Sequence, residues 1–285
     1  MKWYEETLHS DLRQTLRVAK ILHREKTDLQ DLIIFQNPKV GRVLALDGII
    51  QTTEGDEFIY HEMLAHVPIL ALAAQGRPVK KVLIIGGGDG GCLREVLKHK
   101  QIHATMVEID PYVINLSKKF LPGIHQGSFD NKRGKIVIAD GAKFVEETKE
   151  KFDVVIIDST DPIGPGAVLF TKKFYAGCRK ALAKGGVLVT QNGVPFMQGD
   201  EVATSHKYFT SLFKDGWFYM ACVPTYAGGF MTLGWATDNV ALRKLPVAKI
   251  AKAFKAAKLK TRYYTPELHQ GAFGLPRFVR DLFEK

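Results

Sequence analysis

The segment Phe152–Gly166, FDVVIIDSTDPIGPG, constrains the fold of this chain more than any other stretch. It opens on an unbroken run of apolar β-formers, Val154 to Ile157. A run of this kind between breakers predicts a strand buried on both faces, as in a parallel sheet covered by helices on each side. Two acids three apart, Asp158 and Asp161, stand at its carboxyl end. A loop with Pro162, Gly164, Pro165 and Gly166 follows. Ligands of open α/β sheets bind outside the carboxyl ends of the strands. The strand therefore delivers carboxylates to a ligand position, with a candidate lid beside them. One Asp alone would read as a turn residue, so the weight rests on whether other strand ends carry acids too.

They do. From Val79 to Gln191 strand and helix patterns alternate. Val79–Ile85 runs into Gly86-Gly87-Gly88-Asp89-Gly90-Gly91 and a helix. Ala104–Ile109 contains Glu108 near its end, Lys135–Ala139 is followed by Asp140-Gly141, and Gly186–Gln191 is a fifth strand. Such alternation implies right-handed crossovers and a parallel sheet. Trp217–Val223 and Phe230–Ala236, joined by a short Gly-rich turn, must pair antiparallel. The predicted class is α/β, with a mostly parallel Rossmann-like sheet of the methyltransferase type.

Ahead of it, residues 1–56 predict a small antiparallel β domain, and residues 57–285 the larger Rossmann-like domain. Strand patterns cover Gln14–Arg24, Leu29–Phe35, Gly41–Leu46 and Ile49–Thr53, with Gln30 in the second. A helix from Asp56 to about Ala74 joins the two regions and puts Tyr60 and His61 at the junction, where clefts commonly lie. His61 and His66 are five apart and face different ways, so HEMLAH is not the zinc motif HExxH.

Composition narrows the classes. No apolar run approaches the length of a membrane span, and the amino terminus has no signal-peptide core. Cys92, Cys178 and Cys222 are scattered, which suggests reduced thiols in a cytoplasm and neither a disulfide frame nor a zinc site. The net charge of +10 invites a nucleic-acid reading. The lysines sit at helical spacing as solvated faces, however, and no basic stripe interleaved with aromatics is present. The candidate site residues are acidic against the global sign, which suggests a cationic ligand.

The glycine loop lets a ligand approach backbone. The acid at its centre, Asp89, would repel a pyrophosphate. Glu108, twenty residues beyond Gly88, stands where an acid grips a ribose diol in such folds. Asp140-Gly141 is placed to receive an adenine. Ribose and adenine without a diphosphate point to a nucleoside sulfonium.

With those residues in view, the chain resembles the polyamine aminopropyltransferase family, the spermidine synthases. LDGIIQTTEGDEFIYHEM, VLIIGGGDGGCLREV, VEID, DG, DSTDPIGP and PTYAGG match the family pattern in order from Leu46 to Gly229, and Gln30 also fits. Gly55 departs from the Arg or Lys usual in TE-x-DEF; a local effect on packing or charge is expected. The resemblance implies transfer of the aminopropyl group of decarboxylated S-adenosylmethionine to putrescine, giving spermidine and methylthioadenosine, without a metal or prosthetic group. Gln30, Glu108, Asp140, Gly141 and Pro165 would contact the thioadenosine part, and Asp89 the aminopropyl ammonium. Tyr60, His61, Asp161, Gln191 and Tyr226 would line the putrescine channel, with Asp158 as general base. A homodimer through the β domain is also implied.

Two other classes stay open on sequence. A small-molecule methyltransferase would share the sheet and the nucleoside site, but not the second acidic cluster or the leading β domain. A nucleic-acid binder would need the basic, aromatic surface that is missing here.

Overall fold

The computed structural model describes residues 2–284, with the side chain of Pro165 outside that description. Two small antiparallel sheets come first. Strands β1 (Lys2–Glu5) and β2 (Thr15–Val18) form a hairpin. Strands β3 (Lys20–Lys26), β4 (Asp31–Asn37), β5 (Gly41–Leu46) and β6 (Ile49–Thr53) form a four-stranded meander. The first pair includes a strand that the sequence pattern does not announce: KWYE is short, and its pairing with β2 spans a nine-residue connection. Gln30 lies just before β4 rather than within a strand. The Thr27 hydroxyl accepts from the backbone N–H groups of Leu29 and Gln30, at 3.1 Å each, and this turn delays the strand to Asp31.

Helix α1 (Glu57–Ala74) leads into the larger sheet. The succession is β7 (Lys81–Gly86), α2 (Gly91–Leu97), β8 (His103–Glu108), α3 (Pro111–Phe120), α4 (Pro122–His125), β9 (Gly134–Ile138), α5 (Gly141–Glu147) and β10 (Phe152–Asp158). A 3-10 turn, Gly164–Phe170, occupies much of the segment expected to be an open loop. Then come α6 (Lys172–Ala181), β11 (Leu182–Gln191), α7 (Gly199–Leu212), β12 (Asp215–Cys222) and β13 (Phe230–Thr237), and three helices, α8 (Val247–Ala257), α9 (Pro266–Gly271) and α10 (Arg277–Asp281).

The seven strands order as β12-β13-β11-β10-β7-β8-β9, and β13 alone runs against the rest. This is the Rossmann-like, methyltransferase-type sheet that the alternation predicts. Period-two side-chain alternation assigns the central strands to two cores. Val82, Ile84, Val154, Ile156, Val187 and Val189 face α1, α2 and α8 through Leu64, Leu93 and Ile250. Leu83, Ile85, Val155, Ile157 and Leu188 face α5, α6 and α7 through Val145, Phe174 and Phe209. With both faces covered, the strands must be continuous apolar runs, and Val154–Ile157 is completely or almost completely buried.

The meander docks on this body. Leu32, Ile34, Leu44 and Leu46 pack against Val113 of α3 and against Leu121 and Ile124. Its other face, Phe35, Val43 and Ile50, receives Tyr4 and Leu16 of the hairpin. Gly55 turns beside Val40: a Cβ there would lie 3.0 Å from the Val40 Cα, so any larger residue must move that neighbour. Among the described residues no helix is long and apolar enough to cross a membrane.

Candidate active site

Chain order reverses direction across the sheet between β7 and β10, and the cleft opens at their carboxyl ends. This is the switch point at which open α/β sheets take ligands. The two strands touch here through backbone. Gly87 N–H donates to the Asp158 carbonyl at 2.8 Å. Gly86 has φ +82°, and a Cβ on it would overlap that same carbonyl oxygen. Glycine is therefore required at position 86 by both conformation and space.

One half of the cleft is built from strand ends. Asp89 accepts from Gly91 N–H at 2.8 Å through Oδ1. Glu108, closing β8, accepts from Asp110 N–H at 3.0 Å through Oε1. Burial pushes its carboxyl up to about 7, with the backbone N–H groups of Asp110 and Ile109 opposing the rise. A Cβ on Gly88 would come within 2.9 Å of Glu108 Oε2, so bare backbone adjoins that oxygen. Gln30 reaches the same place from the meander, and its Nε2 donates to Asp110 Oδ2 at 2.7 Å. Asp140 caps α5, accepting from Ala142 and Lys143 N–H at 2.7 and 3.1 Å. Gly141 lets that helix close on Ile85, which a Cβ would overlap. Asp140 and Gly141 both line the cleft. Pro165 also falls in the expected set, but its side chain lies outside the described residues.

The other half is assembled from distant segments. Tyr60 of α1 donates its hydroxyl to Asp158 Oδ1 at 2.9 Å. Asp158 Oδ2 is buried and has no hydrogen-bond partner among the described residues. Although part of Asp158 faces the cleft, it lies well below the protein surface, and burial pushes its carboxyl up to about 6. The His61 charge and the Tyr60 bond pull down, and Asp89 pushes up. Tyr226 stands edge-on to Tyr60 with ring centres 6.0 Å apart. Its hydroxyl donates to the Gln51 carbonyl at 2.8 Å, so its ring forms the wall of the cleft. Gln191 accepts from Gly193 N–H at 2.8 Å and reaches the Ser159 carbonyl. Asp161 accepts from Gln198 Nε2 at 2.6 Å, and burial raises its carboxyl.

Every expected site residue with a described side chain, together with Gly141, lines this one cleft. Three further lining residues carry no sequence signal. Gln198 holds Asp161 from 37 positions away. Glu6 and His9 come from the β1–β2 connection, which crosses the body to reach Thr225 through Gln14. Glu6 accepts from Ile50 N–H at 2.9 Å, and burial raises its carboxyl to about 7. His9 Nε2 is buried and has no partner among the described residues. Glu6 and His9 are brought in by the return of the hairpin over the cleft, and Gln198 by its bond to Asp161.

His61 sits between the halves. Its Nδ1 lies 2.6 Å from Glu57 Oε2 and its Nε2 3.4 Å from Asp89 Oδ2. His61, Asp89 and Asp158 each bring one atom within 4.8 Å of the other two. That spacing also suits a metal ion. With a carboxylate at each ring nitrogen, however, both nitrogens favour carrying protons, and a protonated nitrogen has no lone pair for a ligand bond.

A Rossmann-like sheet with carboxylates ringing its switch point places the chain in the class of Rossmann-like proteins whose cleft suits a cationic group. Comparison with known proteins narrows this. Residues 57–245 match the family described as spermine/spermidine synthase domain, and residues 2–54 the family described as spermidine synthase tetramerisation domain. A polyamine aminopropyltransferase of Pseudomonas syringae pv. tomato is 55% identical over 280 residues, 98% of this chain and 96% of that one. One of Ruegeria sp. is 54% identical over 282 residues, 99% and 98% of the two chains. The crystal structure of a spermidine synthase in complex with the transition-state analogue AdoDATO superposes with a TM-score of 0.92 at 38% identity, covering 99% of this chain and 95% of that chain. The spermidine synthase of Thermotoga maritima gives 0.91 at 38% identity, covering 100% and 94%. The chain belongs to the spermine/spermidine synthase family, and its activity class is polyamine aminopropyl transfer.

Proposed function

We propose that the cleft binds decarboxylated S-adenosylmethionine and putrescine and transfers the aminopropyl group between them. The observation that carries this reading is Asp158: one oxygen is fixed by Tyr60, and the other is buried and unpartnered. A methyltransferase would have no use for a second acidic cluster at that strand end.

In the proposed reaction a putrescine amine attacks the aminopropyl carbon bonded to sulfur. The C–N bond forms as the C–S bond breaks, and the electron pair leaves with methylthioadenosine. The sulfide departs neutral, so the leaving group needs no metal. The difficulty lies in the nucleophile. An alkylammonium resembles Lys, with a pKa of about 10.4, so on the order of one in a thousand is neutral at pH 7. Asp158, raised by burial, is matched to accept that proton and to orient the amine. Tyr60 is buried beside it and keeps its own proton. Juxtaposing the two substrates supplies roughly 7–11 kcal/mol of barrier reduction. Glu108 and Gln30 would hold the ribose end, Asp140 and Gly141 the adenine, with Pro165 beside them. Asp161, Gln191 and the Tyr226 ring would guide the acceptor. Asp89 would pair with the donor's ammonium and repel the carboxylate that ordinary S-adenosylmethionine carries at that end.

The same reading includes the division at residue 56, supported by the family boundary between residues 54 and 57. It includes residence in the cytoplasm, supported by three unbridged thiols. It also includes self-association through the β domain. A homodimer is the simplest form, and light scattering would separate it from the tetramer named in the matched family's description.

The test is a product assay with putrescine and decarboxylated S-adenosylmethionine, followed for spermidine and methylthioadenosine. Methyl transfer from S-adenosylmethionine, with no aminopropyl product, would replace the proposal with the methyltransferase reading.

A further inference from the structure

A cation already stands among the carboxylates of the cleft. The His61 ring is buried between Glu57 at Nδ1 and Asp89 at Nε2. Neither carboxylate has a hydrogen to give when ionised, so each favours an N–H facing it. The ring cannot turn away. It lies flat on the first turn of α2, where a Cβ on Gly91 would overlap its atoms.

Glu57 is itself held. Arg94 of α2 spans both its oxygens at 3.0 and 2.9 Å, and also reaches Glu95 at 2.7 Å. Glu95 continues to His66 at 3.0 Å and to Lys98 at 2.7 Å. Burial works against the Glu57 charge, but His61 and Arg94 outweigh it and keep the group ionised. The groups around His61 are therefore Glu57 and Tyr60 on α1, Asp89 in the glycine loop and Asp158 on β10, with Arg94 on α2 behind Glu57. Three carboxylates outweigh the one guanidinium, which is already paired.

We infer that Glu57 is a positioning residue that keeps His61 doubly protonated in the free enzyme, as a stand-in for the substrate ammonium, and that loading a cationic substrate expels the Nε2 proton. The inference rests on the proposed reading of the cleft. In the exchange the Nε2–H proton passes to solvent. Nδ1–H stays on Glu57, and the freed Nε2 lone pair becomes an acceptor for the incoming ammonium. The ammonium takes the place of the ring's charge, so neither state leaves Asp89 without a cation beside it. The His61 proton fits this reading: burial disfavours it, but Asp89 first and then Glu57 raise its pKa to about 9.

Two measurements test this. In the free enzyme, histidine 15N NMR with His61→Gln for assignment should show His61 doubly protonated at pH 7. Its titration should fall by roughly 1–3 pH units in Glu57→Gln. A neutral ring at pH 7, or an unmoved titration in Glu57→Gln, overturns the inference. Calorimetry at pH 8 in two buffers of different ionisation enthalpy should show proton release with decarboxylated S-adenosylmethionine. Methylthioadenosine, which lacks both positive charges, should show none. Equal release with the two compounds overturns the exchange. If Glu57→Gln does not fold, His61→Gln carries the second arm: release that persists in it overturns the inference. Failure of the substrate reading would be seen separately, as absence of spermidine in the product assay, because the titration of the free enzyme involves no substrate.

Discussion

The two halves of the cleft are built by different physics. In the half proposed to hold the nucleoside, Glu108 closes its strand, Asp89 and Asp140 follow theirs by three and two residues, and each is fixed by backbone N–H groups two or three residues away. In the half proposed to hold the acceptor, Asp158 is fixed by Tyr60 from 98 positions away, Asp161 by Gln198 from 37, and the Tyr226 hydroxyl by a carbonyl 175 away. Apart from Gln30, which reaches in from the meander, the first half is local and inherits the rigidity of the sheet. The second exists only when α1, the hairpin and the segment after β10 are docked. A local perturbation should therefore change one ligand's affinity in the first half, and geometry and rate in the second.

The sharpest way to break this contrast is Asp158→Asn, which is expected to lower the single-turnover rate by about 10²–10⁴-fold. Near-normal chemistry with only weaker putrescine binding would show that the proton leaves by another route. Asp89→Asn should act on the donor instead. Losing one charged contact costs about 1.5–3 kcal/mol, so titration should show donor affinity falling by about 10–100-fold while putrescine affinity changes little. The reverse pattern would move Asp89 to the other half. Asp161→Asn should raise the Michaelis constant for putrescine by about tenfold, less than the charge suggests, because Gln198 already satisfies one oxygen. Single-turnover data are needed beside it, since that constant need not equal a dissociation constant.

Acid should act on both halves by the same sign. Asp158 must be ionised to take a proton, so kcat/KM is expected to fall as pH drops through about 6. Glu108 must be ionised to accept from a ribose diol, so methylthioadenosine affinity should fall below about pH 7. Flat profiles would show that neither carboxyl titrates in that range in the free enzyme. The smallest expected effect is in the segment 159–169. Its exposed Ile163 and Val168 and its Gly164 at φ +56° favour opening, and hydrogen exchange should slow there with methylthioadenosine plus putrescine. Equal protection with and without ligands would remove a closing lid from the mechanism.

Legibility in the sequence follows the same division. β5 and β6 keep the bounds that their patterns predict, and the glycine loop falls where the first β–α turn must be. These signals are local. β11 starts at Leu182, earlier than Gly186, because its first pairing, Phe152 with Leu182, precedes a register shift that no alternation shows. β1 has four residues and needs β2 to define it. Gln30 leaves its expected strand because the Thr27 hydroxyl competes for its backbone. The acids of the site were legible as strand-end chemistry. Gln198, Glu6 and His9 were not, because their place in the cleft depends on chain segments that meet only after folding.

The carbonyl of Asp158 pressed against Gly86 and Gly87 works like the fixed jaw of a caliper. In the proposed reaction the distance from sulfonium to base would be set where two backbones touch, and a side chain added there would move Asp158. The adjustable jaw is the β1–β2 connection with Glu6 and His9, which is held by the backbone bonds of Glu6 to Gln14 and of Thr7 to Gly48 and by the Glu6 and Gln14 side chains. Within the family, acceptors of different length should accordingly be accommodated by divergence at positions corresponding to 6–12, while the glycines at 86 and 87 stay. A relative with altered acceptor length, an unchanged hairpin and a side chain at position 86 would contradict that division of labour.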